Sequence, residues 1–201
     1  MILFPAFLKL ERRRCLVVGA GPIAEEKIEG LLRAGADVRV VAPEATRGIR
    51  ELATKERLRW DERAFRASDL SRAFLVVAAT SSPSLHRKIY RQAKRRGVLC
   101  NVVDDPKHCD FYYGSVVRRG ALQIAISTGG HSPALAQRLR KKLEKQFGAK
   151  YEEWLEELGK IRKELFARKI APEKRRALLH ELASEASLED FLSREKRKTR
   201  G

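Results

Sequence analysis

Three short clusters in this chain carry residue types that can do chemistry. The run CLVVGAGPIA at 15–24 ends on Gly19-x-Gly21-x-x-Ala24. In that spacing Gly19 permits a tight strand-to-helix turn, Gly21 lets backbone N–H groups approach a pyrophosphate, and the small Ala24 lets the helix pack close on the strand. Pro22 and Ile23 complete the loop, and the helix N-terminus then faces the anion. Glycines also close ordinary βα turns, so context must decide. The second cluster, NVVDDP at 101–106, ends on the adjacent carboxylates Asp104 and Asp105. A carboxylate in a partly desolvated cleft is a proton acceptor, although Asp-Asp-Pro is equally a turn signal. The third cluster, STGGHSP at 127–133, offers the hydroxyls of Thr128 and Ser132, the amides of Gly129 and Gly130, and His131. Its glycines can present N–H groups to a carboxylate; Ser132 also suits the N-cap of the next helix, and a lone loop histidine is ordinarily solvated.

These clusters need elements to position them. Apolar runs at 15–18, 38–42, 74–80 and 99–105 read as strands. A helical run containing Ile23, Lys27, Leu31 and Leu32 follows the first, helical material the second, and a helix at 83–96 the third. Strand and helix therefore alternate, which is the pattern of a Rossmann-like, doubly wound parallel α/β sheet. Ligands on such sheets lie beyond the carboxyl ends of the strands. Three of those ends are chemically equipped: the glycine loop, Thr80-Ser81-Ser82 and Asp104-Asp105-Pro106. From 114 the pattern changes to a β-ribbon around Gly120, with Leu122, Ile124 and Ile126 on one face. A helix at 133–147 follows, with Pro133 first and Leu135, Leu139, Leu143 and Phe147 recurring every four residues. The remainder is amphipathic helix broken at Ala171-Pro172, ending in the basic segment REKRKTRG, expected to be disordered. The expected organisation is a nucleotide-binding domain at 1–113, a dimerisation and substrate-binding segment at 114–148, and a helical domain with a basic tail at 149–201.

Composition narrows the function classes. The formal net charge is +17, and residues 151–201 hold 13 Lys+Arg against 11 Asp+Glu, so +15 lies in residues 1–150. That half attracts anions. No aromatic interleaving, zinc motif or RNP motif accompanies the charge, so nucleic acid is not the expected partner. No apolar run approaches the ~18 residues of a membrane span, and the first charges follow the apolar N-terminal stretch, so a cytoplasmic protein without a membrane partner is expected. Cys15, Cys100 and Cys109 form no CxxC pair and read as reduced thiols, the first two in the core. His86, His108, His131 and His180 lie far apart, so no metal site held by the protein is expected.

Taken together, PAFLKL at 5–10, CLVVGAG at 15–21, NVVDDP at 101–106, CDF at 109–111 and ISTGGHSPALAQRLR at 126–140 resemble the precorrin-2 dehydrogenase / sirohydrochlorin ferrochelatase family. That family occurs alone or as the N-terminal region of larger siroheme synthases. The resemblance covers roughly residues 1–148. It implies oxidation of precorrin-2, an octacarboxylate tetrapyrrole, to sirohydrochlorin with NAD; in some members ferrous iron is then inserted as a second substrate. It also implies a homodimer, with the ribbons of two subunits pairing. A polyanionic substrate gives the basic half a use.

Carried over residue by residue, Gly19, Gly21, Pro22 and Ile23 fall on the pyrophosphate loop. Pro43 and Glu44 fall where the adenosine ribose would lie, Glu44 accepting ribose hydroxyls, with Arg47 nearby as a counterweight that would welcome a 2′-phosphate. Thr80 and Ser81 fall beside the nicotinamide, or else cap the following helix. Asp104 matches the general base. Thr128, Gly129, Gly130, His131 and Ser132 match the substrate-binding loop; Thr128 stands where some relatives carry Ser, and His131 departs from the family's Lys or Thr. The alternative reading is a non-catalytic NAD-sensing regulatory module, which needs the glycine loop but has no use for STGGHSPALA.

Overall fold

Short runs of β-branched and small apolar residues, buried on both faces, make the central sheet. The computed structural model describes residues 2–198. Strands β1 (Arg14–Val18), β2 (Asp37–Ala42), β3 (Arg59–Glu62), β4 (Leu75–Ala78) and β5 (Leu99–Val102) lie in the order β3-β2-β1-β4-β5, and every neighbouring pair is parallel. Helices α1 (Pro22–Arg33) and α2 (Arg47–Thr54) bury Ala24, Ile28, Leu31 and Ile49 against one face, with Val17, Val38, Val40 and Val77. Helix α3 (Pro83–Lys94) buries Ile89 and Ala93 against the other, with Leu16, Val18, Val76 and Cys100. Helices on both faces make the sheet doubly wound, as the alternation predicts.

Three local expectations need correction. β3 goes unnoticed in the sequence because RWDE is four residues long, polar and at the sheet edge; its backbone pairs with β2, and Trp60 Nε1 donates to the Ala42 carbonyl at 3.1 Å. β5 stops at Val102, so Asp104 and Asp105 lie in the turn beyond it and not within a strand ending at 105. On α1 the buried face is Ala24-Ile28-Leu31, and Ile23 is 51% exposed.

Charged side chains of β2, β3 and the segment that follows them form a network. Arg63 donates to both Asp61 and Asp69, and Arg39 pairs with both as well. Asp69 is only 4% exposed. Burial by itself would raise its carboxyl, but the Arg63 hydrogen bond, the Arg66 backbone N–H and the charges of Arg63 and Arg39 hold it below the ordinary carboxylate range.

Contacts divide the chain into two compact units, the second beginning at Gly114. In this second unit β6 (Ser115–Arg119) and β7 (Leu122–Ile126) form the antiparallel ribbon, followed by α4 (Pro133–Gln146), α5 (Lys150–Ala167), α6 (Pro172–Leu182) and α7 (Glu185–Lys198). Arg119 ties the ribbon to α4's end, donating to the Phe147 and Glu144 carbonyls at 2.7 and 2.8 Å. The regular leucine spacing of α4 does not make a buried stripe: Ala136 is buried, whereas Leu135 and Leu139 are 48% and 39% exposed. Most of the basic C-terminal segment, expected to be disordered, continues α7 as far as Lys198; Thr199–Gly201 lie outside the described residues.

Candidate functional site

Because β1, β4 and β5 are parallel neighbours, their carboxyl ends bring the glycine loop, Thr80-Ser81 and Asp104 to one edge of the sheet. Gly19 has φ +102° and a Cβ there would stand 2.1 Å from the Ala79 carbonyl oxygen, so only glycine lets the loop cross the end of β4. Gly21 is the N-cap of α1 and has open space where a Cβ would be. The three helices packed on the sheet differ at their starts. Thr46 caps α2 by accepting from Ile49 N, and Ser82 caps α3 by accepting from Leu85 N, but no side chain caps α1. The first amides of α1 therefore remain available to an outside anion, and the cradle in front of them is clear. These features fit the pyrophosphate of a dinucleotide.

The next strand end, that of β2, carries Pro43 and Glu44, both exposed. Arg47 is drawn away along α2 into an i,i+4 pair with Glu51 at 2.8 Å. Thr46 links this end to the glycine loop: its N–H donates to the Ala20 carbonyl at 3.0 Å, and its hydroxyl donates to Glu25 Oε2 at 2.6 Å. At the end of β4, the helix cap is Ser82 and not Thr80 or Ser81, which leaves Ser81 exposed. Thr80 accepts from Ser82 N at 3.3 Å, and its own N–H donates to Nε2 of the buried His86 at 3.3 Å.

Asp104 sits on a braced loop. Asn101 Nδ2 donates to the Phe111 carbonyl at 2.8 Å, and the Asp110 N–H donates to the Cys100 carbonyl at 2.7 Å while its carboxylate accepts from Cys100 N at 3.0 Å. These bonds also cover the free edge of β5. Cys109 Sγ donates to the carbonyls of Val102 and Asp105 at 3.1 and 3.3 Å. Asp105 binds His108 Nδ1 at 2.6 Å, and that imidazole stands edge-on to Tyr90 with centroids 4.8 Å apart. Of the two adjacent aspartates, then, Asp105 is committed to the loop, and Asp104 has no hydrogen-bond or ion-pair partner among the described residues. Asp104 holds φ +59°, an unusual conformation that Asp tolerates better than most residues. It is exposed, which corrects the expectation of a partly desolvated cleft.

In the second unit, the STGGHSP loop spends most of its polar groups on itself. Ser127 Oγ accepts from Gly129 N at 3.1 Å, Thr128 Oγ1 from Ser132 N at 3.2 Å, the Thr128 carbonyl from His131 N at 3.0 Å, and Ser132 Oγ from Leu135 N at 3.2 Å. The expectation of two bare glycine amides is corrected: Gly129's is taken, and α4 is capped. What the loop still offers is the Gly130 amide, the hydroxyl protons of Thr128 and Ser132, which accept and have yet to donate, and the exposed His131.

Sequence reasoning missed the braces under Asp104 and the Thr46–Glu25 bond. The braces were within reach, since Asn101 and Asp110 belong to the same NVVDDP and CDF stretches. Burial pushes the Cys15 and Cys100 thiols up to about 12, so neither is a nucleophile. Among the described residues no group of three or more His, Cys, Asp and Glu could hold a metal ion, and no helix is long and apolar enough to cross a membrane.

Comparison with known proteins gives consistent findings. Residues 6–115 match the family described as putative NAD(P)-binding, and residues 119–146 match the central region of a sirohaem biosynthesis protein. The chain is 39% identical over 158 residues to Siroheme synthase 1 of Serratia proteamaculans (strain 568), a match covering 79% of this chain and 33% of that protein. It is 41% identical over 140 residues to a siroheme synthase of Nitrosococcus oceani, covering 70% and 30%. The chain thus spans about a third of the length of these curated relatives. A solved structure, SirC, precorrin-2 dehydrogenase, is similar over 97% of this chain and 100% of that one, with 27% identity and a TM-score of 0.78.

Proposed function

The chain belongs to the putative NAD(P)-binding family, and from that premise we propose that it is an NAD-dependent dehydrogenase that oxidises precorrin-2 to sirohydrochlorin. The observation that carries this reading is the edge of the sheet where the uncapped α1, Thr80-Ser81 and the free carboxylate of Asp104 lie at the ends of three adjacent strands. Similarity to the siroheme synthases and to SirC, precorrin-2 dehydrogenase supports the choice of substrate.

In this mechanism the amides at Gly21, Pro22's successor Ile23 and the rest of the first turn of α1 hold the pyrophosphate, Ile23 adding apolar contact beside it. Pro43 and Glu44 border the ribose, and Thr80 and Ser81 the nicotinamide end. When bound, NAD supplies the hydride acceptor. Asp104 takes the accompanying proton from the tetrapyrrole and, being exposed, releases it to solvent. The Asn101 and Asp110 braces keep Asp104 in place through the transfer. Thr128 and Ser132 hydroxyls, the Gly130 amide and His131 bind substrate carboxylates, and Gly129 shapes that loop.

The decisive experiment is anaerobic incubation of the chain with precorrin-2 and NAD, following the absorption of sirohydrochlorin; no conversion above the protein-free control overturns the proposal. Supplying sirohydrochlorin and ferrous iron instead measures metal insertion, in which iron is a substrate. A rate equal to the protein-free control assigns the chain to dehydrogenation alone. We also propose a homodimer, supported by the two-stranded ribbon and the exposed Leu135 and Leu139; a monomeric mass by light scattering at assay concentration overturns that part.

A further inference from the structure

We propose that Glu25 selects the dinucleotide: its carboxylate lies beside the first turn of α2 and so repels a cofactor bearing a 2′-phosphate. The inference rests on the cofactor reading above. In sheets of this kind the adenosine ribose is met at the end of β2, and here only residues 43–46 separate that end from the first turn of α2. A phosphate on the 2′ oxygen would therefore seek the amides and positive dipole end of α2 or a nearby arginine.

A carboxylate stands beside each. Thr46 takes Ile49 N and donates its hydroxyl to Glu25 Oε2 at 2.6 Å. The other oxygen, Oε1, lies over the backbone of Gly48, so close that a Cβ on Gly48 would stand 1.8 Å from it. A carboxylate from α1 thus lies beside the first turn of α2, while Arg47 pairs with Glu51 at the surface. Glu44 adds a second negative charge on the same short loop. Neutral ribose hydroxyls can donate to Glu44, whereas a dianionic phosphate meets two carboxylates. The start of α1, uncapped, is left for the pyrophosphate. The two helix starts consequently have opposite uses, and one glutamate, rooted in the first turn of α1 and reaching to α2, sets them apart.

Calorimetry with NAD and NADP on the whole chain tests this without any turnover. The wild type should favour NAD by at least about tenfold in Kd. Glu25→Gln keeps an oxygen that accepts from Thr46 but removes the charge, and the preference should fall by about tenfold, chiefly because NADP binds more tightly. Glu25→Ala should lose the preference too and bind both dinucleotides more loosely, because Thr46 is no longer held. Binding of both with an unchanged ratio in Glu25→Gln, or a wild type that prefers NADP, overturns the inference and leaves the cofactor reading standing. A wild type that binds neither dinucleotide overturns both.

Discussion

The chain begins two helices in the same way and finishes them differently. Before α1 stands Gly19-x-Gly21 and before α4 stands Gly129-Gly130, and each helix has proline in its first turn, Pro22 and Pro133. Around α4 the loop is closed on itself, with Ser127, Thr128 and Ser132 occupying backbone amides. Around α1 no side-chain oxygen occupies them, and Gly21 faces open space. A glycine-rich loop is therefore not one device. Where side-chain oxygens fill the helix start, the loop is a self-supporting turn that presents hydroxyls; where they are missing, the amides of the helix start are left open.

The hardest test of that difference is to place an anion in the open cradle. Gly21→Asp sets a carboxylate where the pyrophosphate would sit, and NAD affinity should fall by at least ~100-fold, through repulsion and through capping of α1 from within. Calorimetry on a variant with wild-type circular dichroism checks it; unchanged affinity would sink the reading of α1 as a phosphate site. The next largest effect lies outside both loops. Asp104→Asn preserves size and removes the base, so turnover should fall by ~10²-fold or more while NAD affinity stays close to wild type. Wild-type turnover would return Asp104 to the role of a turn residue.

The sequence made the sheet and the glycine loop legible because their signals are strong and local: buried β-branched runs, and glycine where a side chain would strike Ala79. β3 escaped because four polar residues at an edge carry no periodicity. Asp104 was legible as a residue but not in its setting, since exposure and the left-handed φ depend on where β5 ends and on braces from Asn101 and Asp110. The closure of the STGGHSP loop was half visible: Ser132 reads as a cap, but the bonds of Ser127 and Thr128 depend on loop geometry that spacing does not specify. Glu25 had no signal, because its partners lie 21 and 23 residues along the chain and only the fold brings them near.

Comparing the two loops also requires that binding be separable from stability, and the ion network under β2 and β3 provides the lever. Asp69→Asn leaves both loops untouched and removes a buried carboxylate held by Arg63 and Arg39, at a cost of about 2 kcal/mol at pH 7. The folded-state pKa of Asp69 lies below its unfolded value, so its contribution is present above about pH 4 and is lost as pH falls through the folded value. Urea titrations should show the gap between wild type and variant closing below about pH 4. NAD affinity at pH 7 should not follow the stability; if it does, the open start of α1 is a property of marginal folding and not of the loop.

The smallest effect is the most discriminating, because it predicts opposite signs for one substitution. Gly21→Ser gives α1 the cap that α4 already has. The backbone there, φ −82° and ψ −176°, is the extended conformation of an N-cap residue, and no atom lies within 4 Å of the new Cβ. The hydroxyl should take an amide of the first turn and stabilise the free chain by a few tenths of a kcal/mol. The same hydroxyl competes with the pyrophosphate, so NAD should bind more weakly, by roughly tenfold. At α4 the converse holds: Ser132→Ala opens the cap and should cost about 1 kcal/mol in urea denaturation with no change in NAD affinity. If Gly21→Ser strengthens both folding and NAD binding, the amides of α1 are not what holds the cofactor, and the two glycine loops are equivalent after all.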